Sequence, residues 1–170
     1  MARYNASMNE KLYAVARSMS IADLNADRKA FFGSILGTLN HLMVGDTVWL
    51  KRFATHPAGY AALEPARSLP APHGLDQILF SDIDSMWRQR QMLDRLIGDW
   101  SESIREDDLE LPLHYASMKG IVSDRDFFGV IMHFFNHQTH HRGQLSTLLS
   151  QAGHDIGVTD LLVLVPNAPA

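Results

Sequence analysis

The chain has 170 residues, 46% hydrophobic and 20% charged, with a net charge of −4 and no cysteine. That length suits one domain with a sizeable core, and the lack of cysteine excludes disulfides, thiol catalysis and thiolate metal ligands. The acidic balance, with an isoelectric point near 6.1, gives no basic footprint for nucleic acid or an anionic membrane.

Residues from about Asn5 to Met19 read as a first helix, with Met8, Leu12, Val15, Ala16 and Met19 on one stripe. The segment before them lacks the apolar core of a signal peptide, and no apolar run approaches the ~20 residues of a membrane span. A single cytoplasmic domain over residues 1–170 is therefore expected. Ser20 to Arg28 is a polar connection in which Ser20 and Asp23 form a capping signal. A second helix is expected from Phe31 or Phe32 to Phe53, ended by His56-Pro57-Ala58-Gly59.

Tyr60 to Gly74 contains Pro65, Pro70 and Pro72 and little periodicity. A connection of that length suits a crossover from one end of a helix bundle to the other. The third helix is expected from Leu75 to Ile104, with Ile78, Leu79, Ile83, Met86, Leu93, Leu96, Ile97 and Trp100 at helical intervals. Leu109 to Val122 fits a small hairpin. Ser123 and Asp126 are placed to cap a fourth helix that runs to about Gln151 and stops at Gly153. The apolar tail, Val158 to Pro166, is expected to pack against the bundle or a neighbouring subunit. The fold class is all-α: a four-helix bundle with a long crossover between its second and third helices and a small hairpin between the third and fourth.

The fourth helix carries the chemistry. His133, His137 and His141 are spaced four apart and rise along one face, about one turn between neighbours. With His133 at zero on a helical wheel, His137 lies at about 40°, His141 at about 80°, His140 at about −20° and Gln144 at about 20°. His137 and His141 are the pair best placed to share an ion, and His133 is either a further ligand or pocket wall. An open transition-metal site takes three protein ligands, and His41, set among Gly37, Thr38 and Gly45, is the best third candidate. Gln144 is placed to line the pocket or orient a ligand imidazole.

The bland alternative is that these are surface or core histidines, and His56, His73, His114 and His154 are read as solvated loop residues. Asp46, about 140° around the helix from His41, is a poor co-ligand. Gln138 stands where a zinc-protease motif needs a glutamate base. No carboxylate stands out as a general base, so no catalytic residue is assigned.

Gly33-Ser34-Ile35-Leu36-Gly37-Thr38-Leu39-Asn40-His41, with Asp46 and Trp49-Leu50, resembles the second-helix signature of the DinB-like (damage-inducible, YfiT-like) metalloenzymes. Asn136 to Gln144 resembles the last-helix signature of that family, and Gly153 to Leu161 its tail. The resemblance implies a four-helix-bundle homodimer with one divalent transition metal per chain (nickel, zinc or iron) on His41, His137 and His141. It implies a metal-dependent transferase acting with a low-molecular-weight thiol, or a hydrolase, on a small-molecule substrate. The apolar tail and Trp87 or Trp100 are the candidates for the dimer interface. The rival expectation is a non-catalytic metal-binding or stress-response dimer, and the next a metal-free helical interaction module.

Overall fold

The computed structural model describes residues 1–168 and is mostly helical, with one small two-stranded sheet; the last two residues of the expected 1–170 domain lie outside the described residues. The α-helices are α1 (Ala2–Ala16), α2 (Ile21–Asn25), α3 (Ile35–Phe53), α4 (Glu64–Arg67), α5 (Ile83–Ser103) and α6 (Phe127–Gln151). Strands β1 (Leu113–Ala116) and β2 (Val122–Arg125) form an antiparallel hairpin that pairs Leu113 with Arg125 and Ala116 with Val122.

Local chemistry sets most of the boundaries. Ser20 accepts from the Asp23 amide, so the expected polar connection folds into the short α2. Ser34 Oγ accepts from Gly37 N at 3.0 Å and Asp126 accepts from Gly129 N, opening α3 and α6. Of the two residues expected to cap the last helix, Asp126 does so and Ser123 does not, since Ser123 belongs to β2. Gly153, at φ +86°, ends α6 where the sequence places its stop.

Two helix starts differ from the expected ones. Helix α3 begins at Ile35 rather than Phe31 or Phe32, because residues 28–33 form a tight loop with Lys29 at φ 55° and Gly33 at φ 73°. Helix α5 begins at Ile83 rather than Leu75, with Asp82 accepting from the Asp84 and Ser85 amides. Residues 75–80 are instead a turn at Leu75 and Asp76 followed by irregular chain bound to Asn40 on α3: Asn40 Oδ1 accepts from Leu79 N and Phe80 N at 2.8 and 2.9 Å, and its amide donates to Phe80 O at 2.9 Å. At the other end, α1 stops at Ala16 instead of reaching Met19. The long connection between α3 and α5 also holds structure of its own, the 3₁₀ turn Ala61–Leu63 and α4.

Helix α1 packs on α5 and α6, and α3 packs on α6 and α5. The interior includes Leu12, Leu39, Met43, Leu93 and an aromatic cluster in which Phe53 stacks on Trp100 at 4.4 Å between ring centroids, with Phe127 and Phe134 edge-on. Fully buried, Trp100 is core and not a surface available to a second subunit. His56 is also buried, contrary to its reading as a solvated loop residue. Its Nε2 donates to Leu111 O, its Nδ1 accepts from Ala58 N, and its ring stacks on Phe127 at 3.9 Å. The tail is tied to α1 at its start, where Tyr4 and Lys11 donate to the Thr159 and Val158 carbonyls. Its apolar side chains Leu161–Val165 are exposed and do not pack on the helices, the first of the two placements expected for them. Among the described residues no helix is long and apolar enough to cross a membrane.

Candidate metal centre

Helices α3 and α6 run antiparallel and in contact: His41 faces His141, Gly45 faces His137, and Trp49 faces His133. His41 Nε2 lies 3.2 Å from His137 Nε2 and 3.1 Å from His141 Nε2. His41 and His141 are buried, His137 is half-buried, and together they form a group whose ligand atoms can hold a metal ion.

Their hydrogen bonds set the direction of the lone pairs. His41 Nδ1–H donates to the Leu75 carbonyl at 2.8 Å, and His141 Nδ1–H donates to Gln144 Oε1 at 2.8 Å. A neutral imidazole carries one proton, so these partners assign it to Nδ1 and leave Nε2 bare. Two bare nitrogens held 3.1 Å apart repel each other unless a cation sits between them. A metal–nitrogen bond of about 2.0–2.1 Å sets the nitrogens of a tetrahedral site about 3.3–3.4 Å apart, close to the spacing found. The donor set therefore fits a divalent ion, and three imidazoles suit zinc, nickel and ferrous iron alike.

Burial acts in the same direction. It pushes the His137 imidazole down to about 3, with the neighbouring His141, His41, His133 and His140 adding to the effect. His41 and His141 are also lowered by burial, against the opposing pull of the Leu75 carbonyl and of Gln144 respectively. All three imidazoles are thus neutral, the state in which histidine binds metal.

The small residues of α3 give space for this packing. A Cβ on Gly45 would lie 3.0 Å from His137 Cε1, and one on Gly37 would lie 2.1 Å from the Phe32 carbonyl oxygen. Gly37 lets the Phe32 backbone approach closely enough for its ring to stack on His41 at 3.8 Å. The glycines thus accommodate a ring and a loop around the site, and Gly45 spaces His137 rather than His41.

Gln144 is half-buried and joins His141 to His140, its Nε2 lying 3.2 Å from His140 Nε2. His133 is exposed, edge-on to Trp49, with its ring centroid 6.0 Å from that of His137. His140 and His73 are exposed, and His154 is half-buried. His114 is exposed on β1, bound to Asp124 across the hairpin and away from the cluster. Asp46 is fully buried, ion-paired to Arg90 and outside the histidine group.

A cavity of about 480 Å³ opens beside His41 and His137, walled by Trp49, Arg52 and His133 on the two helices. The hairpin turn covers it with Ser117, Met118, Lys119 and Ile121. Arg52, Phe32 and this turn were not singled out from the sequence. Arg52 is detectable there by the wheel that selects His41, since eleven residues along α3 return to within about 20° of the same face. Neither the Phe32 stack nor the Leu75 carbonyl has a periodic signal, because both come from loops.

Residues 1–167 match the family model described as the DinB family. No curated protein and no solved structure gives a match.

Proposed function

The chain belongs to the DinB family, and from that premise and the histidine geometry we propose that it is a metal-dependent enzyme, a thiol S-transferase or a hydrolase, working on a small molecule held beside His41, His137 and His141. The observation that carries the reading is the pair of bare Nε2 atoms on His41 and His141, 3.1 Å apart beside His137, with His41 and His137 lining a cavity. A divalent ion held there supplies Lewis acidity and lowers the pKa of the water or thiol that meets it.

The chain's own groups prepare that chemistry. The Leu75 carbonyl and Gln144 fix two rings and their tautomers, an arrangement that typically changes metal affinity 10–100-fold when removed. Phe32 covers one side of His41 and limits water there. His133 and Trp49 form cavity wall, and among the described residues no carboxylate belongs to the histidine group. Activation of the nucleophile therefore rests on the ion rather than on a side-chain base. The four long helices are read as a four-helix bundle with a crossover between α3 and α5, and the working form as a cytoplasmic homodimer that uses a low-molecular-weight thiol. A non-catalytic metal-binding dimer is the second reading, and the cavity beside the cluster weighs against it, because structural sites are closed by protein ligands.

Metal content by mass spectrometry tests the premise, on protein purified without chelator, for the wild type and for His41→Ala, His137→Ala and His141→Ala. About one nickel, zinc or iron per chain, lost in each variant, is the expected result. Traces of metal indifferent to all three substitutions would exclude the site.

A further inference from the structure

Among the described residues the cavity beside the histidines has two cationic groups in its lining, Arg52 and Lys119, and no acidic one. Arg52 is half-buried, and its guanidinium lies 4.6 Å from the ring centroids of both Trp49 and Tyr115. Its hydrogen bond is to a neutral group, Nη2 donating to the Ala116 carbonyl at 3.3 Å. Arg17, Arg67, Arg90 and Arg105 each face a carboxylate within ion-pair distance, whereas Arg52 pairs with none among the described residues. A partly desolvated guanidinium with no counter-charge is costly unless an anion meets it. Burial accordingly holds its pKa below the ordinary arginine value. Two aromatic faces hold the fork in place, and an arginine so fixed recognises a planar carboxylate by paired hydrogen bonds.

The remainder of the cavity is mainly apolar, with Val48, Trp49, Met118 and Ile121 in its walls. Gly45, which touches His137, precedes Arg52 by seven residues, or about 10 Å along the helix axis. The Arg52 side chain leans back toward the helix N-terminus and shortens that span.

The geometry points to a small organic acid as the ligand of this cavity, with its carboxylate on Arg52, its apolar body against Trp49 and Met118, and its far end at His41 and His137. Lys119, on the exposed turn, adds positive charge at the mouth. This assignment names the substrate class of the site proposed above and rests on that reading only for the reaction; the carboxylate contact requires no metal.

Hexanoate and hexanol, alike in length and differing in charge, serve as probes by calorimetric titration of the full chain, as purified and again after chelation. Hexanoate is expected to bind at least about tenfold tighter than hexanol in both preparations. Arg52→Gln brings the two ligands within about a factor of two, while Arg52→Lys keeps a preference for hexanoate. Should Arg52→Gln fail to fold, added salt reads the same charge in the wild type, weakening hexanoate and leaving hexanol unchanged. Equal binding of both probes by the wild type overturns the inference. A preference that vanishes on chelation and survives Arg52→Gln also overturns it, because the carboxylate then sits at the histidines, an outcome that leaves the metal site standing.

Discussion

At Gly45 the absence of a side chain determines where a ligand ring can stand. A Cβ would press on His137 at 3.0 Å, so the imidazole of Gly45→Ala must move by a few tenths of an ångström. Exchanging glycine for alanine inside a helix is otherwise favourable by roughly 0.5–1 kcal/mol. The two effects separate in experiment: thermal unfolding should show Gly45→Ala as stable as wild type or slightly more so, while metal titration shows weaker binding. A large loss of stability would mean that the glycine serves packing alone. Acidity supplies a second test at this scale. His137 titrates at about 3 in the fold against an ordinary 6.5, so as pH falls below 6.5 the unfolded chain takes up a proton that the folded chain refuses. Stability from this group is complete above about 6.5 and is lost on the way down to about 3. Urea unfolding of metal-free protein across that window should therefore show a steeper acid loss in the wild type than in His137→Gln.

The helices themselves are largely legible from sequence, and the segments between them are not. The apolar periods identify the four long helices, and the i, i+4 histidines with His41 identify a cluster that the fold does bring together. Helix α5 is placed eight residues early because Leu75, Ile78 and Leu79 continue a helical spacing; Asn40 overrides it by binding the Leu79 and Phe80 backbone. That contact joins residues about forty apart, and no local pattern encodes it. His56 is misread for the same reason, since its partners Leu111 and Phe127 come from distant parts of the chain. Asn40 thus becomes testable as the clamp of the crossover. Asn40→Leu leaves two amides and a carbonyl without their partner, at about 1–3 kcal/mol for each group that water cannot reach. Equilibrium unfolding should show that loss, and limited proteolysis should cut first between residues 70 and 82. Unchanged protection of this segment would count against the clamp.

Across the whole molecule, charge at the centre links the helices. Arg90 on α5 is 1% exposed and pairs with Asp46 on α3 and with Asp94 one turn along its own helix. Asn9 on α1 donates to Asp94 at 2.9 Å, and Arg142 on α6 donates to Asn5 on α1. Burial pushes the Asp46 carboxyl up to about 6 with Arg90 opposing, so at neutral pH the pair is ionised. Arg90→Met strands two carboxylates in the interior, and removing one member of a buried pair typically costs about 3–5 kcal/mol. Chemical denaturation should return a loss of that size. A nearly neutral effect would mean that water already reaches the network.

Asn40 and His41 are consecutive, and between them they grip residues 75 to 80 at both ends: His41 holds the Leu75 carbonyl, Asn40 the backbone of Leu79 and Phe80. The connection from α3 to α5 consequently has two halves with different tolerance to insertion and deletion. Between Pro70 and Gly74 the chain can lengthen cheaply, since doubling a loop adds only about 0.6 kcal/mol of closure entropy. From Leu75 to Asp82 a single added or missing residue separates the Leu75 carbonyl from His41 or the Leu79 and Phe80 backbone from Asn40, because the two contacts are fixed on consecutive residues of α3. Natural length variation in this crossover should accumulate between Pro70 and Gly74 and stop where the chain meets the histidine.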